Sequence, residues 1–153
     1  MPSHREKRIL PYTSEQLFDL VLDIEKYPEF LPWCLASRVN TRDKSHLSAD
    51  VIVGYKVFRE RFSSRVQFKR PKTIEVEYLQ GPMSTLQNKW VFKDVRDGCQ
   101  VDFYIDFSLK TKIFETLVDQ FFHLALAKMI NAFEARAQVL YAEKDKKGKR
   151  LKA

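Results

Sequence analysis

Few residues in this 153-residue chain have chemistry to offer, and their spacing argues against catalysis. Histidines stand only at 4, 46 and 123, and cysteines only at 34 and 99. Neither set has metal-ligand spacing, and there is no CxxC pair. The GxSxG, P-loop, GxGxxG and HExxH patterns are absent. His123 falls on a polar stripe and reads as solvated. General acid/base chemistry needs two groups that face one another within hydrogen-bond reach, and no such pair is legible. The expectation is a protein that is not an enzyme and needs no metal or cofactor. The informative residues are polar ones set in apolar strand faces. Glu60 and Ser64 share a period-two face with Phe58, Phe62 and Val66. Asn88 shares one with Leu86 and Trp90. If they face inward, such groups are either satisfied by core hydrogen bonds or orient the polar head of an apolar ligand. A bulge that turns Glu60 outward is a further alternative.

The elements that position these residues follow from changes of period. His4 to Leu10 reads as a charged edge strand. Thr13 and Gln16 form a capping-box pattern, which predicts a helix from Ser14 to about Asp23 that Pro28 stops. A short turn is expected over Glu29 to Leu31, closed by Pro32, with Trp33 in the break. From Leu35 the period becomes two. Strands are expected over 35–41, 47–55, 57–70, 74–78, 85–95 and 101–109. A turn at Arg42 to Ser45 and a hairpin at Arg96-Asp97-Gly98 punctuate them. Gly54 marks an expected bend or bulge. Arg59, Arg61 and Arg65 lie opposite the apolar face and read as partners of acids across the sheet.

Lys112 to Tyr141 contains no Gly and no Pro and reads as one long helix. Its polar positions, Glu115, Asp119, His123, Asn131, Glu134 and Gln138, line a narrow stripe. Its middle, Phe121 to Phe133, is apolar over more than an ordinary surface helix needs. Cover on more than one side is therefore expected. Consecutive strands with short links imply an antiparallel meander, apolar on one face. The expected architecture is α+β: a curved antiparallel sheet of about six or seven strands around the long C-terminal helix, with two short helices after the first strand. The long helix is expected to cover the sheet and the short helices to sit at the mouth of a cavity. Pattern alone nominates Phe62, Tyr78, Trp90, Phe107, Phe122, Ala125, Met129 and Phe133 as cavity walls, with Trp33 nearby.

The formal charge is +7, and six basic residues crowd the end of the chain from Lys144 to Lys152. Residues 1–143 read as one domain and 144–153 as a disordered basic tail. Basic character suits weak affinity for RNA, ribosomes or anionic lipid without demanding a DNA groove. Two distant cysteines fit a reducing compartment. No stretch reaches membrane-spanning length, and no leader is read ahead of Arg5. A cytoplasmic location, peripheral to a bacterial inner membrane, is the expectation.

Several runs together resemble a known family. They are Leu10-Pro-Tyr-Thr-Ser-Glu-Gln-Leu-Phe-Asp-Leu-Val, Asp23-Ile-Glu-Lys-Tyr-Pro-Glu-Phe-Leu-Pro-Trp-Cys34, Arg59-Glu-Arg-Phe-Ser-Ser-Arg-Val66, Leu79-Gln-Gly-Pro-Met-Ser-Thr-Leu-Gln-Asn-Lys-Trp-Val-Phe92 and Ala132-Phe-Glu-Ala-Arg-Ala137. In order and joint presence, over about residues 4 to 141, they resemble the coenzyme-Q-binding START-like family, which includes the bacterial ribosome-association toxins. The resemblance implies a helix-grip fold with a hydrophobic tunnel between sheet and long helix. It implies ubiquinone or a similar lipid as ligand, a carrier or chaperone role in respiratory electron transport, and transient contact with a membrane surface. The toxin-named branch implies the alternative of binding to the large ribosomal subunit.

Overall fold

Alternating apolar and charged residues become seven strands, and the period of 3.6 appears only between the first two and after the last. The computed structural model describes the backbone of residues 3–55 and 58–142, and their side chains except at 55, 58, 112–115, 117–121 and 142. The order is β1 (Ser3–Leu10), α1 (Ser14–Leu22), a 3-10 helix (Ile24–Glu29), β2 (Cys34–Arg42), β3 (His46–Tyr55), β4 (Phe58–Lys69), β5 (Thr73–Gln80), β6 (Met83–Val95), β7 (Gly98–Leu109) and α2 (Lys112–Ala137). A π-helical turn, Gln138–Ala142, ends α2. The sheet order is β1-β7-β6-β5-β4-β3-β2, and every neighbouring pair is antiparallel. The expected α+β architecture is thus present. The basic tail from Lys144 to Lys152 lies outside the described residues. So do the side chains of Phe114, Glu115, Leu117, Val118, Asp119 and Phe121.

Local chemistry explains the boundaries. The Thr13 hydroxyl accepts from the Gln16 N–H at 3.1 Å, and the Gln16 side chain accepts from the Thr13 N–H at 3.0 Å. That reciprocal pair satisfies two free donors at the start of α1. Pro28 does not stop a helix ahead of it, and the second turn is not at Glu29 to Leu31. The 3-10 helix starts at Ile24 and contains Pro28. Its bonds run from Lys26 N–H to Asp23 and from Phe30 N–H to Tyr27, so the N–H that Pro28 lacks is not needed. Gly54 marks no bulge either. The β3–β4 register runs unbroken from His46↔Gln67 to Tyr55↔Phe58, and nearby shifts fall in β2. A Cβ at Gly54 would lie 2.5 Å from Leu35 Cδ1, so the glycine leaves room for that side chain. Gly98 is different: its φ is +148°, and a Cβ there would lie 2.0 Å from the Leu10 carbonyl oxygen. Only glycine lets β7 begin so close to the end of β1.

Two helices share the inward face of the sheet. α1 sits inside one end of the trough, not at a cavity mouth. Its Leu17, Phe18, Leu20 and Val21 pack with Leu47, Val66, Phe68, Ile74, Phe92 and Val101. Phe18 is fully buried, with ring centroids 6.2 Å from Phe68 and 5.8 Å from Phe92. α2 contributes Phe122 and Leu126 to a second cluster with Phe103, Phe107 and Leu109. The long helix therefore covers the β6–β7 side, not all of the sheet. One flank of it stays open, where Leu124 is 51% exposed. Polar contacts fix its other flanks. Glu134 pairs with Arg8 of β1. Arg136 donates to Glu29 at 2.9 Å, its guanidinium over the Phe30 ring.

Candidate ligand groove

Strand register decides which side chains look inward. Leu47, Ala49, Val51 and Val53 of β3 stand opposite Val66, Ser64, Phe62 and Glu60 of β4. Ser64 and Val66 stand opposite Tyr78 and Val76 of β5, and Val76 opposite Asn88 of β6. Because Leu47, Ala49 and Val66 are buried beneath α1, this whole face points into the trough. No bulge turns Glu60 away, since the β3–β4 register has no shift. Glu60, Ser64 and Asn88 all look inward, as their strand phase requires.

The middle of the face is incompletely covered. Val51, Val53, Phe62, Val76, Tyr78 and Leu86 are all only half-buried. On the α2 side, Ala125 is exposed and Met129 half-buried. Phe62 and Tyr78 lie edge to face with centroids 6.5 Å apart. Among the described residues neither Glu60 nor Ser64, both half-buried, has a side-chain hydrogen-bond partner. Val51 and Val76 rest in part on the α1 cluster, and Leu86 and Met129 on the α2 cluster. The surface they leave open, with Glu60 and Ser64 among them, is the candidate apolar groove.

The remaining nominated residues divide differently. Asn88 is engaged within the protein: its amide donates to the Tyr104 carbonyl at 2.9 Å, and its oxygen accepts from Trp90 Nε1 at 3.2 Å. The Tyr78 hydroxyl accepts from the Met83 N–H at 2.9 Å and pins the turn between β5 and β6. Phe107 and Phe122 are buried against each other at 5.3 Å. Trp90 contacts Phe103 at 4.6 Å and Phe133 at 5.5 Å, and it stacks on Phe92 at 6.2 Å. Phe133 also meets Tyr27 and Phe30. Phe107, Phe122, Trp90 and Phe133 are therefore packing residues. Trp33 is half-buried between the 3-10 helix and β2, and its carbonyl accepts from the Gly54 N–H at 2.9 Å.

A small, half-open cavity of about 60 Å³ lies elsewhere, between β1, β6, β7 and α2. Leu10, Trp90, Val101, Phe103, Ile130 and Phe133 line it, together with the charged Glu6, Arg8 and Glu134. Burial pushes the Glu6 carboxyl up, but contacts with His4 and Arg8 outweigh it and hold it below the usual value. The signal for this site was present in β1, where His4, Glu6 and Arg8 are in phase with Leu10. β1 is the edge strand that its charge suggested, and its inward residues Glu6, Arg8 and Leu10 line the cavity all the same. Among the described residues no cluster of His, Cys, Asp or Glu could hold a metal ion. No described helix is long and apolar enough to cross a membrane.

Residues 10–134 match the family described as polyketide cyclase / dehydrase and lipid transport. The ribosome association toxin RatA of Rickettsia prowazekii is 34% identical over 142 residues, covering 90% of this chain and 97% of that protein. The mitochondrial coenzyme Q-binding protein COQ10 of Drosophila melanogaster is 29% identical over 135 residues, covering 85% of this chain and 56% of that protein. The solution structure of the 18 kDa protein CC1736 from Caulobacter crescentus superposes with a TM-score of 0.76 at 37% identity, covering 93% of this chain and 99% of that one. These relatives carry binding or toxin names, while the family description spans cyclases, dehydrases and lipid transport. The trough, its two covering helices and the match across most of their length have one source: the chain belongs to the family described as polyketide cyclase / dehydrase and lipid transport.

Proposed function

We propose that this protein binds a hydrophobic ligand without turning it over, and that the ligand is an isoprenoid quinone such as ubiquinone. It would carry or chaperone the quinone in support of respiratory electron transport. The observation that carries this reading is the half-buried inward wall of Val51, Phe62, Val76, Tyr78 and Leu86 opposite Ala125 and Met129. Covering that wall stabilises a complex by roughly 25 cal/mol per Å² of apolar surface. Glu60 and Ser64 are the groups free to meet a polar head, because Asn88 and Tyr78 already have partners. The half-open cavity, about 60 Å³, is far below the roughly 300–1,000 Å³ of small-molecule sites, which favours the groove over the cavity for the isoprenoid tail. Tyr27, Phe30 and Trp33 border α2 and β2 and form a lid that meets the membrane surface. The name of the COQ10 relative supports the choice of quinone.

The test is direct. Lipids are extracted from the protein purified from its native host and analysed by mass spectrometry. Added ubiquinone is titrated against the fluorescence of the two tryptophans, Trp33 and Trp90. Finding no co-purified quinone or other lipid, together with no saturable quenching, would end this reading.

A second reading is association with the large ribosomal subunit, supported by the name of the RatA relative and by the excess of basic residues. Sedimentation with purified large subunits tests it. Failure to co-migrate at low salt would count decisively against it. In either reading the protein works in the bacterial cytoplasm or at the inner face of the inner membrane.

A further inference from the structure

The outward face of β2, β3 and β4 carries a built array of arginines. At its centre Asp50 is only 8% exposed, although it lies on the polar side of the sheet. Its carboxylate accepts four hydrogen bonds: from Ser63 Oγ at 2.7 Å, Arg61 Nη2 at 2.8 Å, Arg38 Nη2 at 3.0 Å and Asn40 Nδ2 at 3.2 Å. Arg38 and Arg61 each spend one N–H on Asp50, yet their side chains stay 65% and 61% exposed. Their other donors face outward. Arg59 and Arg65 occupy the same face of β4 and are exposed. Against these four guanidiniums stand Asp50 and, at the border, Glu77 opposite Arg65. Beside the array a polar surface hollow of about 390 Å³ is lined by Arg42, His46, Arg65, Thr41, Ser48 and Asp43.

We infer that this face is a docking surface for the phosphate backbone of a folded RNA. Planar guanidiniums match phosphate oxygens with paired N–H donors. Holding two of them on a buried carboxylate removes rotamer freedom before a partner arrives, which lowers the cost of binding. No described aromatic side chain belongs to the array, so it offers nothing for unpaired bases to stack on. A stacked helix backbone fits better. Surface helices and patches that bind membranes insert apolar groups beside their basic ones. Here the large exposed apolar side chains beside the array, among the described residues, are Leu35 on β2 and Leu79 on β5, two single residues separated by β3 and β4 and not a contiguous apolar patch. The inference deepens the ribosome-association reading and rests on it only for the source of the RNA.

The experiment measures anisotropy of a fluorescein-labelled RNA hairpin with the full-length chain across a salt series. The variant Arg38→Gln/Arg61→Gln/Arg65→Gln removes three charges and keeps an amide donor at the two positions, 38 and 61, that bond Asp50. It is expected to lose at least about tenfold in affinity and to lower the log–log salt slope by about three. Lys7→Gln/Lys89→Gln, on the same sheet face but away from the array, is expected to change affinity by less than about threefold, as for loss of peripheral charges. If the triple variant does not fold, Arg59→Gln/Arg65→Gln leaves Asp50 and its partners intact and must weaken binding in the same direction. Unchanged affinity in the folded variants overturns the inference. So does arginine-dependent binding to phosphatidylglycerol vesicles with none to the hairpin. Sedimentation separates this from the parent reading. Binding of the hairpin without co-migration of large subunits removes the ribosome and keeps the surface. Co-migration and hairpin affinity that both survive the triple substitution keep the ribosome and remove the surface.

Discussion

Phe133 of α2 stands 5.5 Å from Trp90 of β6, centroid to centroid, with the rings inclined at 68°. The same phenyl lies 5.6 Å from Tyr27 and 5.3 Å from Phe30, on the segment around the 3-10 helix. One side chain thus ties the long helix, the sheet and the segment proposed as a lid. Phe133→Ala is expected to cost about 3 kcal/mol, the lower end for deleting a packed phenyl. Urea unfolding followed by tryptophan fluorescence checks this. A loss below about 1 kcal/mol, the size of one edge-to-face pair, would mean the junction does not anchor α2.

Ala125 is exposed on the flank of α2 that borders the groove. A large side chain there has room and competes with a ligand. Ala125→Trp is expected to leave stability within about 0.5 kcal/mol, as surface substitutions do. It is also expected to weaken ubiquinone binding at least about tenfold, a loss of about 1.4 kcal/mol. Thermal melting with and without ligand reads both quantities. Undiminished binding in a folded variant would place the ligand elsewhere.

Asp50 titrates well below the usual carboxylate range, chiefly because Ser63 hydrogen-bonds its charged form, with Arg38, Asn40 and Arg61 adding to the effect against the opposing cost of burial. A carboxyl depressed in the folded state stabilises the fold above its unfolded value, about 3.9. That contribution is lost as pH falls from there towards the folded value. The wild type is expected to lose stability on acidification below about pH 4, and Asp50→Asn to show a flatter profile in that window. At pH 7 Asp50→Ala is expected to cost about 1–3 kcal/mol, because it strands donors grouped around the acceptor. Parallel urea curves at several pH values, with equal slopes for both proteins, would exclude this role.

Burial pushes the Cys34 thiol up to about 11, and burial also raises Cys99. Both side chains are buried. Little thiolate exists at neutral pH, and reagent access is blocked. A chromogenic disulfide is expected to react with neither cysteine in the native protein at pH 8, and rapidly with both in denaturant. Fast reaction of one thiol in native buffer would show that its end of the core opens readily.

Much of this protein could be read along the chain. Period-two alternation named the strands and put Glu60, Ser64 and Asn88 on the same faces as their apolar neighbours, because side chains of one strand cannot choose faces independently. The packing of α1 on Leu47, Ala49 and Val66 made that face the inward one. The Thr13–Gln16 pair marked the start of α1 because capping needs only neighbours three residues apart. Glycine at 98 was legible as a turn for the same local reason.

Other features depend on partners that local pattern does not name. β1 is the edge strand its charge suggested, but its partner is β7, about a hundred residues later, and that pairing sets Glu6 and Arg8 into a cavity wall. Asn88 looked like a candidate ligand contact until the Tyr104 carbonyl and Trp90 indole used its amide. Phe122 and Phe133 looked like surplus apolar surface until β6, β7 and the 3-10 segment met them. Asp50, one more acid on a polar face, became a buried hub only when β2 and β4 brought Arg38 and Arg61 to it. The sequence by itself determined which face each side chain takes, since that follows from backbone geometry one residue at a time. Tertiary structure alone decided which of those faces are filled and which stay open, since packing depends on residues distant in the chain.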